Sequence, residues 1–380
     1  MTAPASTALF ATADYALVTD GRPRRLTTDR SDDTRWADTT LTALAHTAGD
    51  PLAIGVLSFR PDGPATALLS GAARRLPRSA LDRPAPRYAW STAIEVPAAA
   101  EYAATVSAAV DRLTGDAGLR KVVLGRWLDL TSAGDPAPDH LLAALAGRHP
   151  AGHIFGVPLG RSAGYLLGAS PELLVGRRGR RVRSTPLAGS LPRAADPAED
   201  RIRADLLRDS AKDRHEHALV VDAVAEALGP LCRRLAVPAA PTLVHTDTMW
   251  HLASPIVGEL REVGPATSAL RLAQLLHPTP AVCGTPREAA YHLIEQLEPA
   301  DRGPLTGAVG WLDGAGDGDW AVTIRAGVLR GRRLRLFAGA GIVPGSDPAA
   351  EVAETGAKLA TMLGALGVAV PRPIEPAVAG

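Results

Sequence analysis

The sequence predicts a large globular fold that mixes β-strands with α-helices. Short apolar runs punctuated by Gly, Pro, Asp and Ser fill the first 90 residues. Two longer stretches, from Pro97 and from Asp205, carry apolar residues at helical spacing, and strand-like segments follow the first of them. With 380 residues, 46% hydrophobic and 21% charged, the chain is long enough for a sizeable core in one elaborate domain or two.

Charge and cysteine content exclude several function classes. Lys and Arg total 41 against 40 Asp and Glu, so a net charge of +1 offers no global attraction for nucleic acid or an anionic membrane. Cys232 and Cys283 form neither a secreted disulfide framework nor a metal-spacing motif. The start of the chain lacks the basic segment and apolar core of a signal peptide, and no apolar run is long enough to span a bilayer cleanly. A cytoplasmic protein without nucleic-acid or membrane partners is expected.

In chain order, YALVTD, LAIGVLSF and TALLSG read as strands, and the intervening RPRRLTTDRSDDTRW as an exposed segment. The helix after Pro97 is marked by Tyr102, Val106, Val110 and Leu113 and ends at Gly115. KVVLGRWLDL then reads as a strand with Lys121 and Arg126 bracketing its apolar part, so that at least one of them projects into a cleft or the strand edge is simply solvated. Beyond the helix HLLAALAGRH, the segments GHIFGVPL, GYLLGASPELLVG and RVRSTPLAGSLPR read as successive strands and bends. Glu172, between Pro171 and an apolar LLV run, must stay wet, find hydrogen bonds or acquire the raised pKa that a general acid needs. A helix is expected from Asp205 to Leu231, with Glu216 above its apolar stripe. KDRHEH lacks the spacing that places two histidines on one helix face, which leaves Glu216 as the better ligand for a hard cation and gives His215 and His217 structural or supporting roles.

The stretch from Phe337 to Leu359, FAGAGIVPGSDPAAEVAETGAKL, has its own logic. A strand runs into a glycine-rich turn, Asp347 caps a helix, and Pro348 takes the first helical position. Spacings of three and four then put Glu351, Glu354 and Lys358 on one face. Such a face binds Mg2+ and an anion, or is a solvated surface with one salt bridge.

Together, KVVLGR, GASPELLV, STPLAGSLPR, KDRHEH, WHLASPIVG, HPTPAVCGTP, VTIRAGVL and the Phe337 stretch resemble the chorismate-utilising enzymes, which include isochorismate, anthranilate, aminodeoxychorismate and salicylate synthases. The segments occur in the family's order and cover most of residues 95–365. HPTPAVCG and KVVLGR are similar to isochorismate synthases of siderophore pathways. The resemblance implies a single large α+β fold with facing antiparallel sheets and outer helices. On that basis residues 1–90 form a sheet-forming part of the same domain, 91–365 the catalytic core, and 366–380 a flexible tail.

The resemblance also implies roles for particular residues. Lys121 matches the lysine that activates water, and Glu172 the acid that protonates the departing hydroxyl. Glu216 and Glu354 match ligands of Mg2+, with Glu351 acting through water. Gly189 and Ser190 match a substrate-contacting turn, and Ala281 and Val282 line the substrate ring. Arg325, the backbone at Gly341, and Lys358 match the carboxylate-binding side. In DRGPLTGAVG the family's aromatic residues after Arg-Gly are replaced by Pro304 and Leu305.

The implied reaction is the Mg2+-dependent conversion of chorismate to isochorismate, with water attacking C2 and the C4 hydroxyl leaving. The alternatives are a salicylate synthase that goes on to eliminate pyruvate, an amino-chorismate-forming synthase, and a noncatalytic chorismate-binding protein. Ala281 favours stopping at isochorismate, and the absence of a glutaminase sequence disfavours the amino branch. A monomer is expected, or a weak homodimer, with no obligatory glutaminase partner.

Overall fold

Strands far apart in the chain pair into two large antiparallel sheets in the computed structural model, which describes residues 7–19, 22–115, 118–160 and 162–368. Among these residues one sheet has ten strands, a second has nine, and a third has three. The ten-stranded sheet runs from Gly284–Thr285 through Lys121–Ser132, Arg333–Ile342, Ala326–Arg330, Gly164–Ser170 and His153–Gly160 to the N-terminal strands Leu9–Ala11, Tyr15–Val18 and Arg74–Pro77. In the nine-stranded sheet, Leu173–Arg178 and Gly318–Val322 are central, and Leu52–Leu57, Ala65–Ser70 and Arg24–Thr28 lie at one side. Thus the first 90 residues contribute strands to both large sheets.

Side chains alternate across a strand, and that rule explains the layers. On Lys121–Ser132, Trp127 points into the core between the large sheets, where it meets Phe10, Ile54, Phe155, Val309 and Phe337. Its ring crosses that of Phe337 edge-on, with centroids 5.2 Å apart, a geometry worth about 0.5–1.5 kcal/mol beyond the area buried. Val122 and Leu124 point the other way, under the helices Ala99–Gly115 and Arg287–Leu297. Farther along, Leu128 and Leu130 pack under Pro138–Arg148 and Pro348–Leu366. The outer side of the nine-stranded sheet is covered by Thr34–Ala45, Ala211–Leu228 and Ala269–Leu276. The facing sheets and outer helices are those the resemblance implied.

Two local expectations change and one becomes more specific. The helix expected from Asp205 to Leu231 is two helices, Pro197–Asp209 and Ala211–Leu228, because Ser210 leaves helical backbone and its Oγ accepts the Asp213 N–H at 3.1 Å as an N-cap. RVRSTPLAGSLPR is two strands in different sheets, Arg181–Thr185 in the nine-stranded one and Leu187–Pro192 in the three-stranded one, with Pro186 at the switch. The segment expected to be exposed holds the edge strand Arg24–Thr28 and starts a helix whose Trp36 is buried against the core, although most of its charged side chains are solvated. Cys232 and Cys283 are both buried free thiols. Among the described residues no helix is long and apolar enough to cross a membrane. Residues 369–380 of the expected tail lie outside the described residues.

Candidate active site

A cleft forms where three of the chain's crossings between sheets meet the helix Pro348–Leu366. Glu172 occupies the first crossing, between Gly164–Ser170 of the ten-stranded sheet and Leu173–Arg178 of the nine-stranded sheet. Arg325 occupies the return, between Gly318–Val322 and Ala326–Arg330. Gly189 and Ser190 follow the switch at Pro186. Crossings release the backbone from ladder geometry, so side chains there can point along the inter-sheet space.

Arg325 shows what that freedom costs. Its φ is +50°, a left-handed conformation that costs a residue with a Cβ on the order of 1–3 kcal/mol. The side chain is buried, its Nη2 lies 3.5 Å from His251 Nε2, and its Nε has no partner. Burial lowers its pKa to about 10, partly offset by Glu354 and Glu172, so it stays a cation at neutral pH. A buried guanidinium with a spare donor suits a ligand carboxylate.

Glu172 is 2% exposed, and burial pushes its carboxyl from 4.5 up to about 7, against the opposing pull of a Leu187 backbone hydrogen bond and of Lys121, Arg325 and Lys358. It therefore holds a proton well into the neutral range. Lys121, at the start of its strand, is fully enclosed, and its Nζ lies 2.9 Å from Glu216 Oε1, in ion-pair contact but outside hydrogen-bond angles. Burial pushes the Glu216 carboxyl up, but the charges of Lys121, Lys358 and Lys212 outweigh it and hold it below its ordinary value. Gly341, paired with Val123 on the neighbouring strand, makes this contact possible: a Cβ there would collide with Glu216 Oε1 and come within 2.9 Å of Lys121 Cε.

The terminal helix is capped as expected, with Asp347 accepting the Ala350 N–H at 2.8 Å. Glu354 and Lys358 line the cleft and pair with each other, and Lys358 Nζ also donates to Gly339 O at 2.9 Å. Glu351 sits behind them, 1% exposed, with Oε1 accepting from Lys212 at 2.8 Å and Oε2 without a partner. Burial and the neighbouring Glu354 push its carboxyl up to about 7. Ala281 and Val282 form the apolar wall. Leu305 is buried in the inter-sheet core, and Thr306, not Pro304 or Leu305, reaches the cleft.

Of the residues expected in the site, Glu172, Gly189, Ser190, Glu216 and Ala281 line this cleft. Val282, Arg325, Gly341, Glu354 and Lys358 line it too, whereas Lys121 and Glu351 do not line it and lie behind it as partners of Glu216 and Lys212. His215 is exposed, and His217 is buried with Nε2 2.8 Å from Ser254 Oγ.

Sequence reasoning missed His251. Burial, followed by the charges of Arg325 and Lys358, pushes this imidazole well below its ordinary pKa, so it is neutral. Arg325 faces Nε2, and Ser190 Oγ lies 3.1 Å from Nδ1, which assigns the proton to Nδ1 and leaves the serine hydroxyl free to donate into the cleft. A lone His in the strand Met249–Ala253 carried no motif spacing that marked it. Lys212 was also missed, because its partner Glu351 lies 139 residues away.

The arrangement suits a small dianion with a polar ring: cations at Arg325 and Lys358, a protonated acid at Glu172, an amine at Lys121 and an apolar wall. The chorismate binding enzyme family matches residues 30–367. The isochorismate synthase DhbC of Bacillus subtilis is 52% identical over 278 residues, covering 72% of this chain and 69% of that protein. The isochorismate synthase EntC of Escherichia coli K12 is 42% identical over 334 residues, covering 86% and 84%. The crystal structure of DhbC from Bacillus anthracis superimposes with a TM-score of 0.90 at 39% identity, over 97% of this chain and 98% of that one. Sequence, fold and cleft converge: the chain belongs to the chorismate-binding enzyme family.

Proposed function

We propose that this protein is an isochorismate synthase acting on chorismate. The observation that carries the reading is the nearness of opposite proton roles: Glu172 in the cleft keeps its proton to about pH 7, while Lys121, behind the cleft and against Glu216, supplies an enclosed amine. Lys121 takes a proton from the water that attacks C2. Glu172 gives its proton to the C4 hydroxyl as it leaves, and the ring double bonds shift with no net redox change. Arg325 holds one carboxylate in its forked guanidinium, with Lys358 and the Gly341 backbone on the same side. Gly189 and Ser190 hold the ring substituents, and Ala281 and Val282 pack against the ring.

Lys121 acts as the free amine, so its contact with Glu216 must be given up before water attack. Glu216, Glu354 and Glu351 supply hard oxygen donors, and the partnerless Glu351 Oε2 marks unused ligating capacity, so these residues fit Mg2+. Among the described residues no three acidic, His or Cys side chains are already gathered as a metal cage, since Lys121, Lys358 and Lys212 each pair with one of the carboxylates. Glu216 and Glu354 would hold the ion, with Glu351 acting through water. When bound, Mg2+ neutralises and orients a substrate carboxylate.

Product chromatography tests the reading. Purified protein with chorismate and Mg2+ should form isochorismate without glutamine, ammonia, NAD or ATP. Salicylate and pyruvate as primary products would overturn it in favour of a salicylate synthase, with spontaneous breakdown of isochorismate controlled.

A further inference from the structure

The strand that carries Lys121 has a gap along one edge. Gly284–Thr285 pairs with Val122 and Lys121, and the Val123 N–H donates to Cys283 O at 2.8 Å. On that side, pairing resumes at Trp127, opposite Val96. Two side chains fill the interval as a surrogate strand. Glu298 Oε1 accepts the Gly125 N–H at 2.8 Å, and Arg302 Nη2 donates to Val123 O at 2.7 Å. The two also bind each other, Nε to Oε2 at 2.8 Å and Nη2 to Oε1 at 2.5 Å.

Arg302 also reaches the adjoining residues that lead into Gly284–Thr285. Its Nη1 donates to Val282 O at 2.7 Å and to Thr306 Oγ1 at 3.4 Å, so every N–H of the guanidinium has a partner. The group lies 5.0 Å from the Phe337 ring centroid and is 2% exposed. Val123, Val282, Thr306 and Phe337 all line the cleft. A buried ion pair is weak evidence for added stability, because desolvation offsets its attraction. What this one supplies is a rigid fork tying the strand of the amine to the apolar wall.

We infer that Arg302, oriented by Glu298, is a positioning residue that sets the separation between Lys121 and the Ala281–Val282 wall. Arg302 does not line the cleft itself and acts through these backbone groups. The inference rests on the proposed roles of Lys121 and of that wall. A lysine at the position keeps the charge beside Glu298, but from a point ammonium it cannot span Val123 O, Val282 O and both carboxylate oxygens.

The test is Arg302→Lys, with the neutral double variant Arg302→Met/Glu298→Gln as the second route should the first fail to fold. In a folded variant kcat should fall about 10- to 100-fold, the scale of a misplacement near 1 Å, while KM for chorismate stays within about threefold because Arg325 and Lys358 remain. Amide hydrogen exchange should speed up in residues 121–126 and 281–285 and stay at the wild-type rate in the rest of both sheets. A merely structural tie predicts a lower melting temperature with kcat within about twofold of wild type, and that result, or unchanged exchange in the two segments, overturns the inference. Wild-type protein assayed alongside separates the two levels: failure to make isochorismate overturns the functional reading, and the exchange pattern then decides for or against the tie.

Discussion

Lys121 Nζ and Glu216 Oε1 meet at 2.9 Å across Gly341, on a strand where any side chain would force them apart. The proposed base and a proposed metal ligand therefore hold one another in the free protein. Gly341→Ala should displace Glu216, whose flexible carboxylate yields more readily than the strand. Activity should fall at least tenfold and the melting temperature should drop as the buried pair is pulled apart, measured by turnover at saturating Mg2+ beside a thermal scan. Wild-type turnover in a folded Gly341→Ala protein would show that the close approach is dispensable.

Removing one partner of that pair strands the other. Lys121→Met leaves Glu216 buried without its nearest cation and should cost on the order of 3–5 kcal/mol of stability, as broken buried pairs do. Adding Glu216→Gln should recover most of the melting temperature and none of the activity. Chemical denaturation and isochorismate formation, measured on the two proteins, separate the electrostatic role of Lys121 from its chemical one.

Glu172 links activity and stability to pH. As the general acid it works protonated, so turnover should fall as pH rises through about 7, and Glu172→Gln should lose about 10²- to 10⁴-fold. For stability, the folded-state value of about 7 lies above the ordinary 4.5, so between these pH values the folded protein binds more protons than the unfolded chain and loses stability as pH rises. Glu172→Gln removes that loss. It should be more stable than wild type at pH 8, by at most roughly 3 kcal/mol, and similar to it near pH 4.5. Denaturation midpoints at the two pH values check the sign, and Glu351, which is shifted the same way, is present in both proteins.

Glu216→Ala and Glu354→Ala should each raise the Mg2+ concentration needed for half-maximal activity by tenfold or more, since a hard cation loses both charge and geometry with the carboxylate. Metal titration of the folded variants checks this. Wild-type Mg2+ dependence in both would remove these residues from the proposed site.

Much of this protein was legible in the chain because the relevant signals are local. The Asp347–Pro348 start of the terminal helix and the shared face of Glu354 and Lys358 follow from spacings of a few residues and stand in the structure, whereas Glu351, expected on the same face, lies behind the cleft against Lys212. The ordered motifs identified the family and, through it, ten of the twenty residues that line the cleft. The break at Ser210 was missed because propensity summed over a long helical pattern outweighed a single capping residue.

What the tertiary structure alone decided are properties of pairs and of burial. No pattern near Lys121 names Glu216, 95 residues on, or identifies Gly341 as the space between them. The surrogate edge built by Glu298 and Arg302, the neutral His251 between Ser190 and Arg325, and the hold of Lys212 on Glu351 are likewise contacts between distant segments. Glu172 could be read from sequence as a carboxyl beside an apolar run. That it keeps its proton to about pH 7 depends on two sheets closing around it, because the desolvation that raises its pKa is set by everything packed against the group and by nothing in its own segment.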